Sequence, residues 1–329
     1  MEDKMKITLS FGGGGEETNS LIHNLFYKNF SNEILESAED AAVLSVNEKI
    51  AFTTDSFTVS PLFFNGGDIG KLSIVGTCND LVMMGAKPKY LSCSFIIEEG
   101  LEYEVLEKIV LSQKKELEKI DVKIVCGDTK VVPKGTCDKI FINTTGIGEI
   151  QKENISAHNL KEGDVILVSR DIAKHGTVIM AHRYDVETDT KSDCKLLWQE
   201  VESLIKNNIN IKALRDATRG GLSAVLNEWA KASNVTIEIE EKNLPIDDDV
   251  IGLCEIFGFE PMDLANEGTF VLAVPKEDSQ KALEILKNFN PNASIIGEVI
   301  KGDKVILKSP YGSKRYIDLP KGELLPRIC

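Results

Sequence analysis

The sequence predicts an α+β protein, two α/β-type domains followed by an irregular C-terminal tail. Three observations carry this expectation. Strand-like and helix-like apolar periodicities alternate through the first half of the 329 residues. A polar stretch at 151–164 separates them from a second such series. The last ten residues, Pro320 to Cys329, hold two prolines and a glycine, which disfavour a regular helix or strand. A chain of this length also exceeds what one hydrophobic core usually organises. Domains are therefore expected at 1–155 and 156–310, with a tail at 311–329.

In chain order, residues 6–10 read as a strand, and a helix is expected to begin near Thr18. Residues 49–54 form a short apolar strand, and 68–85 repeats apolar residues at helical spacing. A strand at 90–97, a helix at 101–119 and strands at 122–126 and 139–150 complete the first series. The second has a strand at 165–169, helices near Val178, at 195–206 and at 222–232, strands at 235–239 and 269–274, and a helix at 279–288. Residues 296–300 and 304–308, separated by Lys301-Gly302-Asp303, resemble a hairpin.

A net charge of −14 argues against a nucleic-acid or anionic-membrane surface, since phosphate binding requires clustered Lys and Arg. It leaves nucleotides open, because acidic sites bind them through divalent metals. Seven cysteines without CxxC spacing read as reduced thiols. Cys78, Cys93, Cys126 and Cys137 lie in or beside apolar runs and are expected in the core. With no signal peptide and no run of 18 apolar residues, a cytoplasmic location is expected.

Several segments carry candidate chemistry. Gly12, Gly13 and Gly14 open a glycine run that either converges backbone N–H groups on an anion or forms a flexible loop. Gly70-Lys71 approaches a Walker A loop, but Asn65 and Leu72 stand where Gly and Ser/Thr are needed. Asp40 precedes an apolar run, Asp55 ends a strand, and Asp128 follows one in Cys126-Gly127-Asp128-Thr129-Lys130. Asp80 shares a helical face with Ser73, Gly76 and Thr77. Singly, each aspartate reads as a cap or turn residue; together, three or four converging carboxylates suit Mg²⁺. The run Arg215-Asp216-Ala217-Thr218-Arg219-Gly220-Gly221 is either a phosphate-facing element at a helix start or a structural turn. Glu267, ahead of an apolar strand, reads by itself as a turn residue. Extended, the last ten residues reach roughly 33–36 Å, enough to carry the Cys329 thiol from the surface into a cleft. A disordered chain end is the plainer alternative.

Together these segments resemble the hydrogenase maturation factor HypE family, within the superfamily of aminoimidazole ribonucleotide synthetase and selenophosphate synthetase. The likeness runs nearly end to end: Thr53-Thr54-Asp55-Ser56, Pro61-Leu62-Phe63-Phe64, Gly70-Lys71-Leu72, Asn79-Asp80, Gly127-Asp128-Thr129-Lys130-Val131-Val132, Asp216-Ala217-Thr218-Arg219-Gly220-Gly221, Ala265-Asn266-Glu267-Gly268 and the terminal Pro326-Arg327-Ile328-Cys329. Two departures are Phe11, where relatives often carry histidine, and Glu39, where much of the superfamily has a paired aspartate.

The resemblance implies an ATP-dependent carbamoyl dehydratase with PurM-like domains, the N-terminal one pairing with its twin in a homodimer. A HypF-type carbamoyltransferase would load Cys329, dehydration would leave a thiocyanate, and the cyano group would pass to iron on a HypC–HypD complex. Cys329, Glu267 and Lys130 would be catalytic, with Glu267 as base. Gly12, Gly13, Gly14, Lys71, Asn79, Thr129, Asp216 and Arg219 would bind ATP, and Asp40, Asp55, Asp80 and Asp128 would hold Mg²⁺. Two other readings remain at this point. One is a selenophosphate synthetase or small-molecule kinase, which residues 1–20 disfavour by lacking a cysteine. The other is an ATP-gated scaffold without catalysis.

Overall fold

A computed structural model describes residues 5–12, 20–35, 44, 49–320 and 327–329. Gly13, Gly14 and Asp40, three of the candidate ligands, lie outside the described residues, as does Glu39.

The first sheet has the order β1-β6-β4-β5, from β1 (Ile50–Phe57), β4 (Ala86–Glu98), β5 (Lys123–Val132) and β6 (Ile140–Ile150). β5 runs parallel to β4, and the other pairings are antiparallel. A two-strand ladder, β2 (Phe63–Phe64) and β3 (Gly67–Asp68), leads into helix α1 (Ile69–Met83). The Asp68 side chain caps α1 by accepting from the Lys71 N–H at 3.0 Å. α1 is buried nearly all round, because it lies between the first sheet, helix α2 (Tyr103–Ile120) and elements of the second sheet.

The second sheet has the order β13-β12-β9-β11-β7-β10-β8. Its strands are β7 (Val165–Val168), β8 (Ala213–Asp216), β9 (Thr236–Glu240), β10 (Phe270–Val274), β11 (Ser294–Ile300), β12 (Val305–Lys308) and β13 (Lys314–Tyr316). Helices α3 (Lys174–Arg183), α4 (Trp198–Lys206), α5 (Gly221–Ser233), α6 (Asp248–Phe257) and α7 (Lys276–Lys287) complete this half. β7 shows why its strands read as apolar runs. Val165 and Leu167 join the core that holds Val201 of α4 and Leu286 of α7, while Ile166 and Val168 join the one that holds Leu222 and Trp229 of α5. A strand covered on both faces has no polar face to alternate with.

The structure corrects several expectations. Strands 294–300 and 305–308 are not a hairpin: β9 lies between them, antiparallel to β11 and parallel to β12. Residues 6–10 make only the single bridge Lys6–Glu102 before a 3₁₀ turn at Leu9–Gly12. The tail expected from 311 begins with an ordered strand, since β13 pairs with β12 and Ile317 is buried. β5 continues through Asp128, Thr129 and Lys130, beyond the strand expected at 122–126. Gly127 permits this, because a Cβ there would sit 2.3 Å from the Cys93 carbonyl oxygen. Cys126 on this edge strand is exposed and Cys137 half-buried, whereas Cys78 and Cys93 are core residues. Among the described residues, no helix is long and apolar enough to cross a membrane.

Candidate active site

A cleft of about 630 Å³ opens between β1, the C-terminal part of α1, the end of β8 and the loop before β10. Six of the expected site residues line it: Asp55, Asp80, Asp216, Arg219, Glu267 and Cys329. Local structure explains the convergence. Asp55 is on the face of β1 that carries the buried Phe57 towards α1, and Gly76 on α1 lets the two elements approach, since a Cβ there would meet the Phe57 ring at 2.8 Å. Asp80 follows one helical turn later and accepts from Thr53 Oγ1 at 2.9 Å. Asp216 ends β8, with Thr218 and Arg219 directly before the positive-φ glycines that start α5.

Glu267 is buried, and its Oε1 has no hydrogen-bond partner. Its loop is pinned by Asp193, whose Oδ1 accepts from the Glu267 N–H at 3.0 Å. The Oδ2 of Asp193 accepts from the Gly268 N–H at 3.0 Å and from Thr269 Oγ1 at 2.8 Å. Asp193 escaped the sequence reading, because it lies in an irregular segment without a motif.

The carboxylates raise one another. Burial, and then the charges of Asp216 and Asp193, push Glu267 well above the ordinary carboxylate range. Burial and the neighbouring Asp80 push Asp216 up to about 7. Burial also raises Asp80 and Asp55, the latter against the opposing pull of Arg219. The Cys329 thiol is pushed up to about 12, first by burial and then by the charge of Glu267. The cleft is thus a cation-seeking site in which an approaching thiol stays neutral.

Other expected site residues stand elsewhere. Asn79 is buried and does not line the cleft. Its Oδ1 accepts from the Leu197 N–H at 3.0 Å, and its Nδ2 donates to the Lys195 carbonyl at 3.0 Å and the Glu267 carbonyl at 3.5 Å. It therefore joins α1 to the second half of the chain and supports Glu267 from behind. Lys71 donates to the Gly66 carbonyl at 2.9 Å, at the opposite end of α1 from Asp80, roughly 14 Å away along the axis. Asp128 and Lys130 pair with each other at 2.8 Å and are exposed. Ladder register puts them opposite Ser94 and Ile96, on the sheet face away from Asp55. Thr129 donates its N–H to Asp128. Gly12 closes the 3₁₀ turn near the N-terminus.

The chain end reaches the cleft as an ordered segment. The Thr58 N–H donates to the Cys329 carbonyl at 2.9 Å, and Arg327 pairs with Asp138 at 2.5 Å.

Comparison with known proteins identifies first the class and then the family. Residues 38–150 match the model of the AIR synthase related protein, N-terminal domain, and residues 161–309 match that of its C-terminal domain. Two such domains, with an acidic cleft between them, define an AIR synthase-related protein. Carbamoyl dehydratase HypE of Escherichia coli K12 is 43% identical, over 98% of this chain and 99% of that protein. A solved HypE complex with ATP is 40% identical with a TM-score of 0.95, covering 98% of this chain and 99% of the other. HypE in a HypE–HypF complex is 46% identical with a TM-score of 0.81, covering 92% of this chain and all of the other. The chain belongs to the HypE family of carbamoyl dehydratases.

Proposed function

We propose that the protein dehydrates an S-carbamoyl group on its own Cys329 to a thiocyanate at the expense of ATP, in the maturation of [NiFe]-hydrogenase. The observation that carries this reading is the presence of the terminal thiol and the buried, unpartnered carboxylate of Glu267 in one cleft.

An amide oxygen is a poor leaving group, and transfer of the ATP γ-phosphoryl group to it makes it phosphate. One N–H proton leaves as the C=N double bond forms. ADP is released in the phosphoryl transfer, and loss of phosphate with the second proton then leaves the thiocyanate S–C≡N. Glu267 takes the proton from the carbamoyl nitrogen, and its surroundings make it a stronger base than an exposed glutamate. Arg219, exposed at the start of α5, faces the phosphate. The cleft volume falls within the usual range for small-molecule sites.

Asp55, Asp80 and Asp216 fit Mg²⁺ in donor chemistry. Among the described residues, no three His, Cys, Asp or Glu side chains are arranged to hold an ion unaided. That suits a metal which takes one or two carboxylates and completes its shell from phosphate and water. When bound, Mg²⁺ neutralises charge on the transferred phosphoryl group.

The homodimer forms through the open face of the first sheet, where Phe52 is 67% exposed and Ile96 43% exposed. Asp128 and Lys130 share that face and serve the partner's nucleotide. A HypF-type protein supplies the carbamoyl group, as the solved HypE–HypF complex suggests by analogy. The cyano group leaves to iron on a HypC–HypD complex, in the cytoplasm. Intact-mass measurement after incubation with carbamoyl phosphate, ATP and the carbamoyltransferase tests the reading. A carboxamide adduct that loses one water supports it, and an adduct that never does overturns it.

A further inference from the structure

The chain end is gripped by its backbone. Arg183 Nη2 donates to the Arg327 carbonyl at 2.6 Å, while Arg183 Nε holds the Ser60 carbonyl at 2.9 Å. His175 Nε2 meets the Ile328 carbonyl at 2.8 Å. A carbonyl only accepts, so Nε2 carries the hydrogen, and Nδ1 accepts from Ser192 Oγ at 2.8 Å. Ser192 Oγ in turn accepts from the Cys194 N–H at 3.1 Å. Partners on both nitrogens fix the tautomer of this fully buried ring, and Phe64 packs against it edge-on at 5.3 Å. Neither His175 nor Arg183 lines the cleft. On the outer side, Asp138 pairs with the Arg327 guanidinium, whose Nε donates to the Thr58 carbonyl at 2.8 Å.

We propose that His175, Arg183 and Asp138 form a latch that sets the fraction of time the Cys329 thiol is withdrawn into the cleft, and so trades loading of the thiol against dehydration of its adduct. The second half of this statement rests on the reading of Cys329 as a carrier. The docked sulfur is largely shielded, so any macromolecular donor must meet it undocked. Dehydration needs the adduct beside Glu267. One equilibrium therefore moves the two steps in opposite directions. The three residues are positioning residues, since they hold the segment on either side of the sulfur and do not touch the reacting group.

The test is the rate of Cys329 alkylation by iodoacetamide in the full-length protein, read on the C-terminal peptide by mass spectrometry, with exposed Cys126 as internal reference. Arg183→Ala and Asp138→Ala alter half-buried positions, with a thermal melt as the control for folding, and His175→Ala should give the strongest release. Loss of one hydrogen bond should raise Cys329 labelling roughly two- to tenfold, with Cys126 unchanged. Loading by the carbamoyltransferase should rise, and single-turnover dehydration of the preloaded protein should fall by a similar factor. Unchanged labelling at Cys329 in the Arg183 and Asp138 variants, or an equal rise at Cys126, overturns the latch. Faster labelling with loading and dehydration both unchanged overturns the trade. Faster labelling in a protein whose wild type never dehydrates a carboxamide sustains the latch and sinks the carrier reading instead.

Discussion

Asp193 holds Glu267 by the backbone and not by the side chain: one carboxylate oxygen accepts the Glu267 N–H at 3.0 Å, while the Glu267 Oε1 is left without a partner. The candidate base is thus fixed in place and left chemically free. Asp193→Ala would strand two buried N–H donors, those of Glu267 and Gly268, while the Thr269 hydroxyl could turn to the Asp171 carbonyl at 3.0 Å. At about 1–3 kcal/mol each, the expected destabilisation is about 2 kcal/mol or more, measured by urea denaturation. A change below about 1 kcal/mol would show that the loop is held elsewhere.

Cys329→Ala should abolish product while leaving the fold and ATP binding intact, because the residue supplies the acceptor sulfur and little core. Dehydration at the parental rate would end the carrier reading. Isothermal titration with ATP and a thermal melt provide the controls.

Glu267→Gln preserves shape and removes the base. A positioned base contributes roughly 10²–10⁴-fold, so dehydration should slow by about that factor while the carboxamide form of Cys329 accumulates. The two adducts differ by one water in intact mass.

Asp216 supplies a pH test. Its carboxyl is held near 7, well above the ordinary value of 3.8, so the folded state keeps a proton that the unfolded chain has already lost. The resulting penalty is absent below pH 4, grows as pH rises through 4–7 and is complete above 7. Asp216→Asn should therefore be the more stable protein above pH 7 in EDTA, by on the order of a few kcal/mol, with the difference vanishing near pH 4. Equal stability at both pH values would mean that the carboxylate is solvated in place.

Mixed dimers test the proposed reach of Lys130. Pairing Lys130→Ala subunits with Cys329→Ala subunits should restore about one working site per dimer if Lys130 serves its partner. If it acts within its own chain, the mixed dimer should be as inactive as either parent.

Much of the site was legible because its signals are local. Asp55 follows the apolar run at 49–54 and proves to lie within β1, Asp216 ends a strand, Asp80 lies on a helix face with small residues, and Arg219 precedes paired glycines; the structure brings these to one cleft with Glu267 and Cys329. What escaped was non-local. Alternation marks 296–300 and 304–308 as strands but cannot show that β9 lies between them. Asn79 beside Asp80 looks like a ligand in sequence, yet the helix turns it by about 100° per residue, away from the cleft and onto the backbone of Lys195 and Leu197. His175 and Asp193 carry no motif, because each is defined by a partner far along the chain.

The anchoring of Ile317 limits where the product can be delivered. Its N–H bonds the Val305 carbonyl at 3.0 Å, and its own carbonyl accepts from Asn227 at 3.0 Å, so the reach of the Cys329 sulfur is counted from there. Fully extended, the chain from Ile317 to Cys329 spans roughly 40–43 Å. Within that radius the sulfur meets its own cleft at an effective concentration near the millimolar range, without diffusion through solution. An acceptor farther away cannot receive the group unless the leash is lengthened. A graded insertion of Gly-Ser pairs after Asp318 would therefore dilute the tethered substrate in its own cleft while widening the circle of acceptors it can reach.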